Sequence, residues 1–365
     1  MIPWAKPNYH GNEEKYVRQA LKSTWLSDGS FIKNFEKKFS NYVKSKFAIS
    51  VTNGTAALNL VYLAMGLKKD DEIIIPGFGY LAAANIALQM GIKPVFADVD
   101  LNTFCVTAEN IKKKITSKTK LIVVIHTYGN VCDLDPIIKI AKSKKITVLE
   151  DTAESFGSKY KKKQSGSIAD IGTFSFQATK TITTGEGGMI VTKKNKFFTE
   201  KLKAFRNHGV KITRYFHHLP GHNFRLTNIQ AAIGYAQLQK FSKIIKERKR
   251  VYNYYKKIFK NVDGLKLQVF SNKIKPVVWT FAILLNPKFF PDRDKIIQKM
   301  KLKGVETRNG FYSPTRLPIY KKFKTSHLKN SDKLSKNVIC LPFFTSLKKK
   351  EIDFIAKTLL SFKKK

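Results

Sequence analysis

One lysine of this sequence differs from the others in its neighbours. Lys180 lies in the stretch 172–188, where hydroxyl, aromatic and glycine residues surround it instead of further charges. A lysine that is removed from water has a lowered pKa, so its amine can form a Schiff base with an aldehyde, whereas a solvated lysine stays an ammonium ion. Most lysines are exposed, and Lys180 could also simply cap a turn. Its neighbours make it a candidate for covalent chemistry that other residues must support.

A second candidate is an anion site early in the chain. Residues 47–51 predict a strand, Asn53-Gly54-Thr55 a tight turn, and 56–65 a helix. A helix N-terminus presents free backbone N–H groups and the positive end of a dipole, both of which attract anions. A purely structural turn would have the same pattern. Gly54 and Thr55, with Ser175 ahead of the lysine, are therefore candidate phosphate contacts.

The elements that must position these residues alternate between strand and helix. Further strands are predicted at 72–76, 94–97, 121–125 and 146–149, with helices at 82–90 and 136–143. Continuous apolar strands separated by helices indicate an α/β fold with a mostly parallel sheet covered on both faces. Ligands of such sheets bind beyond the carboxyl ends of the strands. Tyr80, His126, Asp151 and the segment leading to Lys180 follow predicted strands, so they could converge with Gly54.

These residue types together match the parts of pyridoxal 5′-phosphate (PLP). The cradle at Gly54 suits its phosphate, Tyr80 its ring face, Asp151 its ring nitrogen and Lys180 its aldehyde. A carboxylate at the pyridine nitrogen keeps that nitrogen protonated, so the ring can accept electrons from a substrate carbanion. The set predicts a PLP site.

Eight motifs in this order resemble those of the DegT/DnrJ/EryC1/StrS family of sugar aminotransferases, and the resemblance extends from Ile2 to about Tyr320. They are Thr24-Trp-Leu-Ser-Asp-Gly29, Asn53-Gly-Thr-Ala-Ala-Leu58, Asp71-Glu-Ile-Ile-Ile-Pro76, His126-Thr-Tyr-Gly129, Glu150-Asp-Thr-Ala-Glu154, Thr173-Phe-Ser-Phe176 with Lys180, Gly185-Glu-Gly-Gly188, and Gly221-His-Asn-Phe-Arg-Leu226 before Gln230-Ala-Ala-Ile-Gly234. The family implies PLP-dependent transferase fold type I, with a large domain whose mostly parallel mixed sheet is flanked by helices and a smaller α+β C-terminal domain.

The resemblance also implies roles for single residues. Lys180 would be the Schiff-base lysine and proton shuttle, Asp151 the partner of the pyridine nitrogen, and Tyr80 the aromatic stacked on the ring. Glu154 would lie near the cofactor's hydroxyl and the sugar, with a structural salt bridge as the alternative. The phosphate cradle would comprise Gly54, Thr55, Ala56 and Ser175.

Asn223 matches a residue that reaches across a dimer interface to the phosphate, with Arg225 close behind. The resemblance thus implies a homodimer with shared active sites. L-Glutamate would donate the amino group and a nucleotide-linked keto sugar would accept it. The family also includes sugar dehydratases with histidine in place of the lysine, so Lys180 favours transamination.

The motifs are most similar to those of members that aminate C4 of GDP-4-keto-6-deoxymannose. The residues expected to contact substrate are Trp25, Ser27, His126, Arg225 and Arg316. Arg316 marks a departure, because relatives usually have a histidine in this segment. A UDP- or dTDP-linked 4-keto-6-deoxy sugar therefore stays an alternative.

The net charge of +42 raises the alternative of a nucleic-acid-binding protein. Only nine of the 68 basic residues are arginine, the residue whose bidentate fork such proteins use most, and the lysines are spread along the chain. This composition argues against nucleic acid as a partner, and a basic surface would suit substrates with two phosphates. A non-catalytic regulatory protein on this fold would be expected to lose Lys180 or Asp151, and both are present.

No apolar run is long enough to span a membrane and no signal peptide is evident, so we expect a cytoplasmic protein. The three cysteines are too few and scattered for a metal cluster. We predict a large PLP-binding domain with an N-terminal arm at 1–250 and a small domain at 251–365. A long helix is predicted at 230–255, and the small domain should contain a strand at 277–285 and helices at 293–303 and 351–362.

Overall fold

The computed structural model describes residues 1–323, 325 and 327–364. Among these residues, no helix is both long and apolar enough to cross a membrane. The strands, numbered in chain order, are β1 (Phe47–Val51), β2 (Glu72–Pro76), β3 (Lys93–Ala97), β4 (Thr119–Ile125), β5 (Thr147–Asp151), β6 (Lys159–Tyr160), β7 (Lys163–Gln164), β8 (Ile171–Ser175), β9 (Gly188–Thr192), β10 (Leu265–Leu267), β11 (Ile274–Lys275), β12 (Phe281–Leu285), β13 (Arg308–Asn309) and β14 (Val338–Leu341). The helices are α1 (Glu13–Lys22), α2 (Ser30–Val43), α3 (Gly54–Met65), α4 (Ala82–Gln89), α5 (Ala108–Lys112), α6 (Leu134–Ser143), α7 (Lys196–Arg206), α8 (Asn228–Gln239), α9 (Phe241–Phe259), α10 (Arg293–Leu302), α11 (Lys329–Asn337) and α12 (Lys349–Leu360).

A mixed sheet of seven strands, all in the described part of the chain, forms the centre of the fold. Its order is β1-β9-β8-β5-β4-β2-β3, and every strand except β9 runs in the same direction. The strands are apolar on both faces because both faces are covered; β2, for example, is buried throughout. The predicted α/β fold with a mostly parallel sheet is confirmed, and the predicted strands differ from the observed ones only at their ends. The carboxyl ends of β1, β2, β4, β5 and β8 consequently meet at one edge.

A second sheet, with the order β10-β12-β14-β13, lies in the C-terminal part of the chain. Its buried apolar residues form one core with α9, α10 and α12. The observed strand is shorter than the one predicted at 277–285, because β12 begins only at Phe281. The backbone N–H groups of Val277 and Trp279 bond to the Ser158 hydroxyl and the Tyr128 carbonyl instead of to a neighbouring strand.

The prediction of a single long helix at 230–255 is wrong, because two helices, α8 and α9, occupy this region. The chain leaves helical geometry at Lys240, with φ −101° and ψ 13°. The next residue, Phe241, stacks on Phe156 with ring centroids 4.5 Å apart. Packing of this aromatic ring thus overrides the local preference for an uninterrupted helix. The predicted domain boundary at 250 falls inside α9, and the division into two domains stays a prediction.

Candidate active site

A cavity of about 640 Å³ opens at the edge where the parallel strands end. Residues from the predicted site and from several distant segments surround it. Its lining comprises Trp4, Asn53, Gly54, Thr55, Leu58, Tyr80, Ala82, Ile125, Asp151, Ala153, Glu154, Thr173, Phe174, Ser175, Gln177, Thr179, Lys180, Glu186, Trp279 and Phe311. The cavity thus brings together seven of the sequence-predicted residues, namely Gly54, Thr55, Tyr80, Asp151, Glu154, Ser175 and Lys180.

The N-terminus of α3 forms an anion cradle in this cavity. The side chain of Asn53 caps the helix by accepting the N–H of Ala56 at 2.8 Å. The N–H groups of Gly54 and Thr55 belong to the first turn of the helix, so they have no partner within it. A Cβ added at Gly54 would lie 3.0 Å from the Cβ of Ser175, so glycine keeps the cradle open beside this hydroxyl. Ala56 itself lies behind the lining, and its N–H is already bonded.

Asp151 ends β5, and its buried side chain lines the cavity. Its Oδ1 accepts the N–H of Ala153 at 3.1 Å. Burial raises the pKa of the Asp151 carboxyl, while the Ala153 N–H and the charge of Lys180 act in the opposite direction. A buried carboxylate in this position is suited to hold a cationic N–H group of a ligand.

Lys180 lies in the loop that connects the antiparallel strands β8 and β9. Its backbone N–H bonds to Gln177, which forms a turn that directs the side chain into the cavity lining. Burial lowers the pKa of the Lys180 amine, opposed by the charges of Glu154, Asp151 and Glu186. Lys180 is thus removed from water, as the sequence predicted for a lysine that forms a Schiff base.

Glu154 is buried in the cavity wall and accepts the backbone N–H of Tyr128 at 2.9 Å. Tyr128 adopts φ 57°, a left-handed conformation that presents this N–H to the carboxylate. Burial raises the pKa of Glu154 to about 7, while Lys180 and the Tyr128 N–H act to lower it. Glu154 can therefore hold or release a proton near neutral pH.

His126 lies behind the cavity, with no exposed surface. Its Nε2 bonds to Glu150 at 2.9 Å, and its Nδ1 accepts the N–H of Cys132 at 3.2 Å. Because Nδ1 accepts, the proton lies on Nε2, which donates to the carboxylate. Glu150 also accepts backbone N–H groups of Gly166, Ile168 and Ala169. The expected substrate contact of His126 is thus corrected, because its ring is fully occupied inside the protein.

An aromatic wall closes the other side of the cavity. Tyr80, 64% exposed, contacts Phe311 with ring centroids 6.3 Å apart, and Trp4 meets Trp279 edge to face at 5.6 Å. Tyr128 stacks between Phe311 and Trp279, at 5.2 Å and 6.2 Å. The sequence predicted Tyr80 but missed Trp4, Trp279 and Phe311. No local pattern of the sequence marks these three residues.

The remaining predicted residues lie outside this cavity within the described chain. Ser27 and Arg225 line a separate concavity of about 270 Å³, and Arg225 Nε donates to Asn223 at 3.1 Å. Trp25 is 66% exposed in the same region of the chain, on the turn before α2. Arg316 is exposed and lies over the ring of Tyr312 at 5.2 Å. A single chain therefore does not bring these residues to Lys180.

The residues in the cavity fit PLP. The open cradle at Gly54 and Ser175 suits a phosphate, the buried Asp151 a protonated ring nitrogen, and Lys180 an aldehyde carbon. The aromatic wall provides a face for a planar ring.

Comparisons with known proteins agree with this arrangement. A model of the DegT/DnrJ/EryC1/StrS aminotransferase family matches residues 7–360. The GDP-perosamine synthase of Escherichia coli O157:H7 is 39% identical over 365 residues, which cover 99% of this chain and 98% of that protein. The PLP form of Spr1654 from Streptococcus pneumoniae has a TM-score of 0.94 at 26% identity and covers 99% of this chain and 98% of that one. A variant of GDP-4-keto-6-deoxymannose-3-dehydratase with bound GDP-perosamine has a TM-score of 0.91 at 27% identity, covering 98% of this chain and 100% of that one.

The fold and the cavity define an enzyme of the PLP-dependent transferase class, fold type I. Within that class, the chain belongs to the DegT/DnrJ/EryC1/StrS aminotransferase family, because the family model covers nearly its whole length. The family resemblance of the sequence motifs is thereby confirmed.

Proposed function

We propose that this chain is a PLP-dependent aminotransferase that moves the amino group of L-glutamate to C4 of GDP-4-keto-6-deoxymannose and forms GDP-perosamine. The observation that carries the proposal is the meeting of Lys180 and Asp151 in one cavity with an anion cradle. The choice of sugar is supported by the similarity to the Escherichia coli synthase and to the dehydratase variant that holds GDP-perosamine. A UDP- or dTDP-linked 4-keto-6-deoxy sugar is the alternative.

When bound, PLP supplies a ring that accepts the electron pair left on a substrate carbon after loss of a proton. Asp151 holds positive charge at the ring nitrogen, which strengthens this acceptance. The first turn of α3 and Ser175 hold the phosphate and thereby fix the position of the ring.

Lys180 Nζ is the base that removes the proton from the α-carbon of the amino donor and returns a proton at the opposite stage of the reaction. Burial lowers the pKa of this amine, which favours the neutral form that a base requires. Glu154 lies close enough to Lys180 to influence its charge and can store a proton near neutral pH. Trp4, Trp279 and Phe311 limit the access of water to Lys180.

We further propose a homodimer in which Asn223 and Arg225 of one subunit complete the cavity of the other. Large apolar side chains are exposed close to these residues in the chain, including Ile212 at 94%, Tyr215 at 77% and Phe216 at 59%. Exposed apolar surface of this kind favours association with a second copy.

The test begins with the absorption spectrum of the full-length protein loaded with PLP. We expect a band at about 410–430 nm that disappears on addition of L-glutamate while 2-oxoglutarate is released. Lys180→Ala should lack both effects, whereas the matched control Lys249→Ala, at an exposed position of α9, should retain them. A wild-type protein that binds no PLP would overturn the proposal and favour a non-catalytic protein.

The sugar is identified in a second step, with GDP-, UDP- and dTDP-linked 4-keto-6-deoxy sugars offered to the glutamate-treated protein. Mass spectrometry should show GDP-perosamine as the preferred product. Faster amination of a UDP- or dTDP-linked sugar would keep the aminotransferase and replace the substrate.

A further inference from the structure

The amine of Lys180 lies directly over an aromatic ring. Its Nζ is 3.9 Å from the ring centroid of Trp279. A cation within about 6 Å of the face of a tryptophan, the best of the aromatic side chains for this purpose, is attracted by the quadrupole of the ring. The contact joins the reactive atom of the site to a residue 99 positions further along the chain.

Trp279 is held in this position from several directions. Its indole Nε1–H donates to the carbonyl of Thr179 at 2.8 Å, so the ring is tied to the residue next to Lys180. Its own carbonyl accepts a hydrogen bond of 2.8 Å from Arg248, a buried side chain of α9, and its backbone N–H bonds to Tyr128. The ring is therefore a fixed surface beneath the amine.

The charged groups that act on the Lys180 amine are carboxylates, namely Glu154, Asp151 and Glu186. A carboxylate stabilises the ammonium form but can also take its proton. An aromatic face attracts the ammonium form yet accepts no proton and holds a neutral amine only weakly. Unlike the acidic groups, Trp279 can therefore stabilise the ammonium form of Lys180 without competing for its proton.

We propose that Trp279 is a positioning residue that seats the protonated amine of Lys180 on its indole face whenever the lysine is not covalently joined to the cofactor. This inference rests on the proposed function for its meaning in the reaction, but the contact itself does not. The seat keeps Nζ in the cavity after it has taken a proton from the substrate carbon, ready to return that proton at the next carbon. The Nε1–H bond to Thr179 sets the distance between ring and amine.

The contact can be tested in the cofactor-free, full-length protein. The rate of acetylation of Lys180 by acetic anhydride, followed by mass spectrometry against pH, gives the pH at which half of its amine is neutral. We expect this midpoint to fall by about one pH unit in Trp279→Leu and by less in Trp279→Phe, which keeps a weaker aromatic face. The midpoint of the exposed Lys249 in the same digest is the internal reference, and Phe197→Leu on α7 is the control for loss of an aromatic ring.

A midpoint of Lys180 that stays the same or rises in Trp279→Leu overturns the proposal. If Trp279→Leu does not fold, the comparison between wild type and Trp279→Phe decides, because the phenyl ring keeps most of the volume. In the PLP-loaded protein we expect Trp279→Leu to reduce kcat about tenfold with little change in KM for glutamate. A wild type without glutamate turnover would overturn the proposed function. The order of the acetylation midpoints would still show whether Trp279 stabilises the protonated amine of Lys180.

Discussion

The carboxylate of Glu154 accepts its 2.9 Å hydrogen bond from Tyr128, a residue in a left-handed conformation at φ 57°. The next residue, Gly129, allows this turn to pack closely against the backbone at Val277, because a Cβ at this position would lie 2.4 Å from the Val277 carbonyl oxygen. The same turn therefore positions an acidic group of the cavity and anchors the segment that leads to Trp279.

Replacement of Glu154 by glutamine should change how stability depends on pH. The carboxyl pKa rises from 4.5 to about 7 on folding, so between these values the folded protein keeps a proton that the unfolded chain has lost. The free energy of unfolding contributed by this group then falls as pH rises across that window, by up to about 1.4 kcal/mol per pH unit. Glu154→Gln lacks this loss and should become more stable relative to wild type from pH 4.5 towards 7.

Denaturant unfolding of the cofactor-free protein at several pH values measures this effect. Glu14→Gln, at an exposed position of α1, is the matched control and should run parallel to wild type. Parallel curves for Glu154→Gln as well would show that Glu154 titrates as an ordinary carboxyl.

Asp151→Asn should retain the fold and lose most of the reaction. The amide has nearly the same shape and can still accept the Ala153 N–H, but it carries no charge for the ring nitrogen. We expect the rate of the glutamate half-reaction to fall by about 10²–10³-fold, the usual effect of losing one preorganised electrostatic contact. Stopped-flow absorbance of the PLP-loaded protein measures this rate.

The matched control for this change is Asp263→Asn, whose carboxylate is 82% exposed. It should react at the wild-type rate. A half-reaction in Asp151→Asn within about threefold of wild type would remove Asp151 from the mechanism.

His126→Ala should reduce stability more than catalysis. The substitution leaves a cavity and removes a hydrogen bond to the buried Glu150, for a loss of about 2–4 kcal/mol in the free energy of unfolding. The three backbone N–H groups on Glu150 remain and limit the loss. Denaturant unfolding checks the loss, and KM for the sugar nucleotide should stay within about twofold of wild type. A large rise in KM with unchanged stability would restore the substrate contact first expected of this histidine.

Two inactive variants should complement each other if active sites are shared between subunits. A heterodimer of Lys180→Ala and Asn223→Ala contains one cavity with both residues intact. Random mixing by unfolding and refolding should thus restore about a quarter of the wild-type activity, because half the dimers are mixed and each has one good site. Activity that stays at the level of the separate variants would mean that Asn223 serves the cavity of its own chain or none.

The sequence predicted those parts of the site that depend on local patterns. Gly54, Asp151 and Lys180 each follow a strand with a clear apolar run, and strand direction alone brings the carboxyl ends together. His126 follows β4 in the same way, but its backbone still bonds to Asp151, so it continues the ladder and its side chain points inward. A shift of one residue along a strand moves a side chain to the other face of the sheet. At the end of a strand, the sequence alone does not determine which of the two faces a side chain occupies.

Trp4, Trp279 and Phe311 could not be found in this way, because tertiary packing alone brings them to Lys180. The break between α8 and α9 was missed for a similar reason. It depends on the stacking of Phe241 on Phe156, a contact between distant parts of the chain.

The wall of the cavity has a consequence for the order of folding. The backbone N–H of Trp4 is bonded to Glu306, 302 positions away, so the first residues can take up their place only after the segment before β13 has folded. Contacts of such long range close slowly. Two of the three tryptophans, Trp4 and Trp279, pack together at this point, so their fluorescence should report the last step of refolding. Catalytic competence should return with that optical phase, later than the helical signal in circular dichroism.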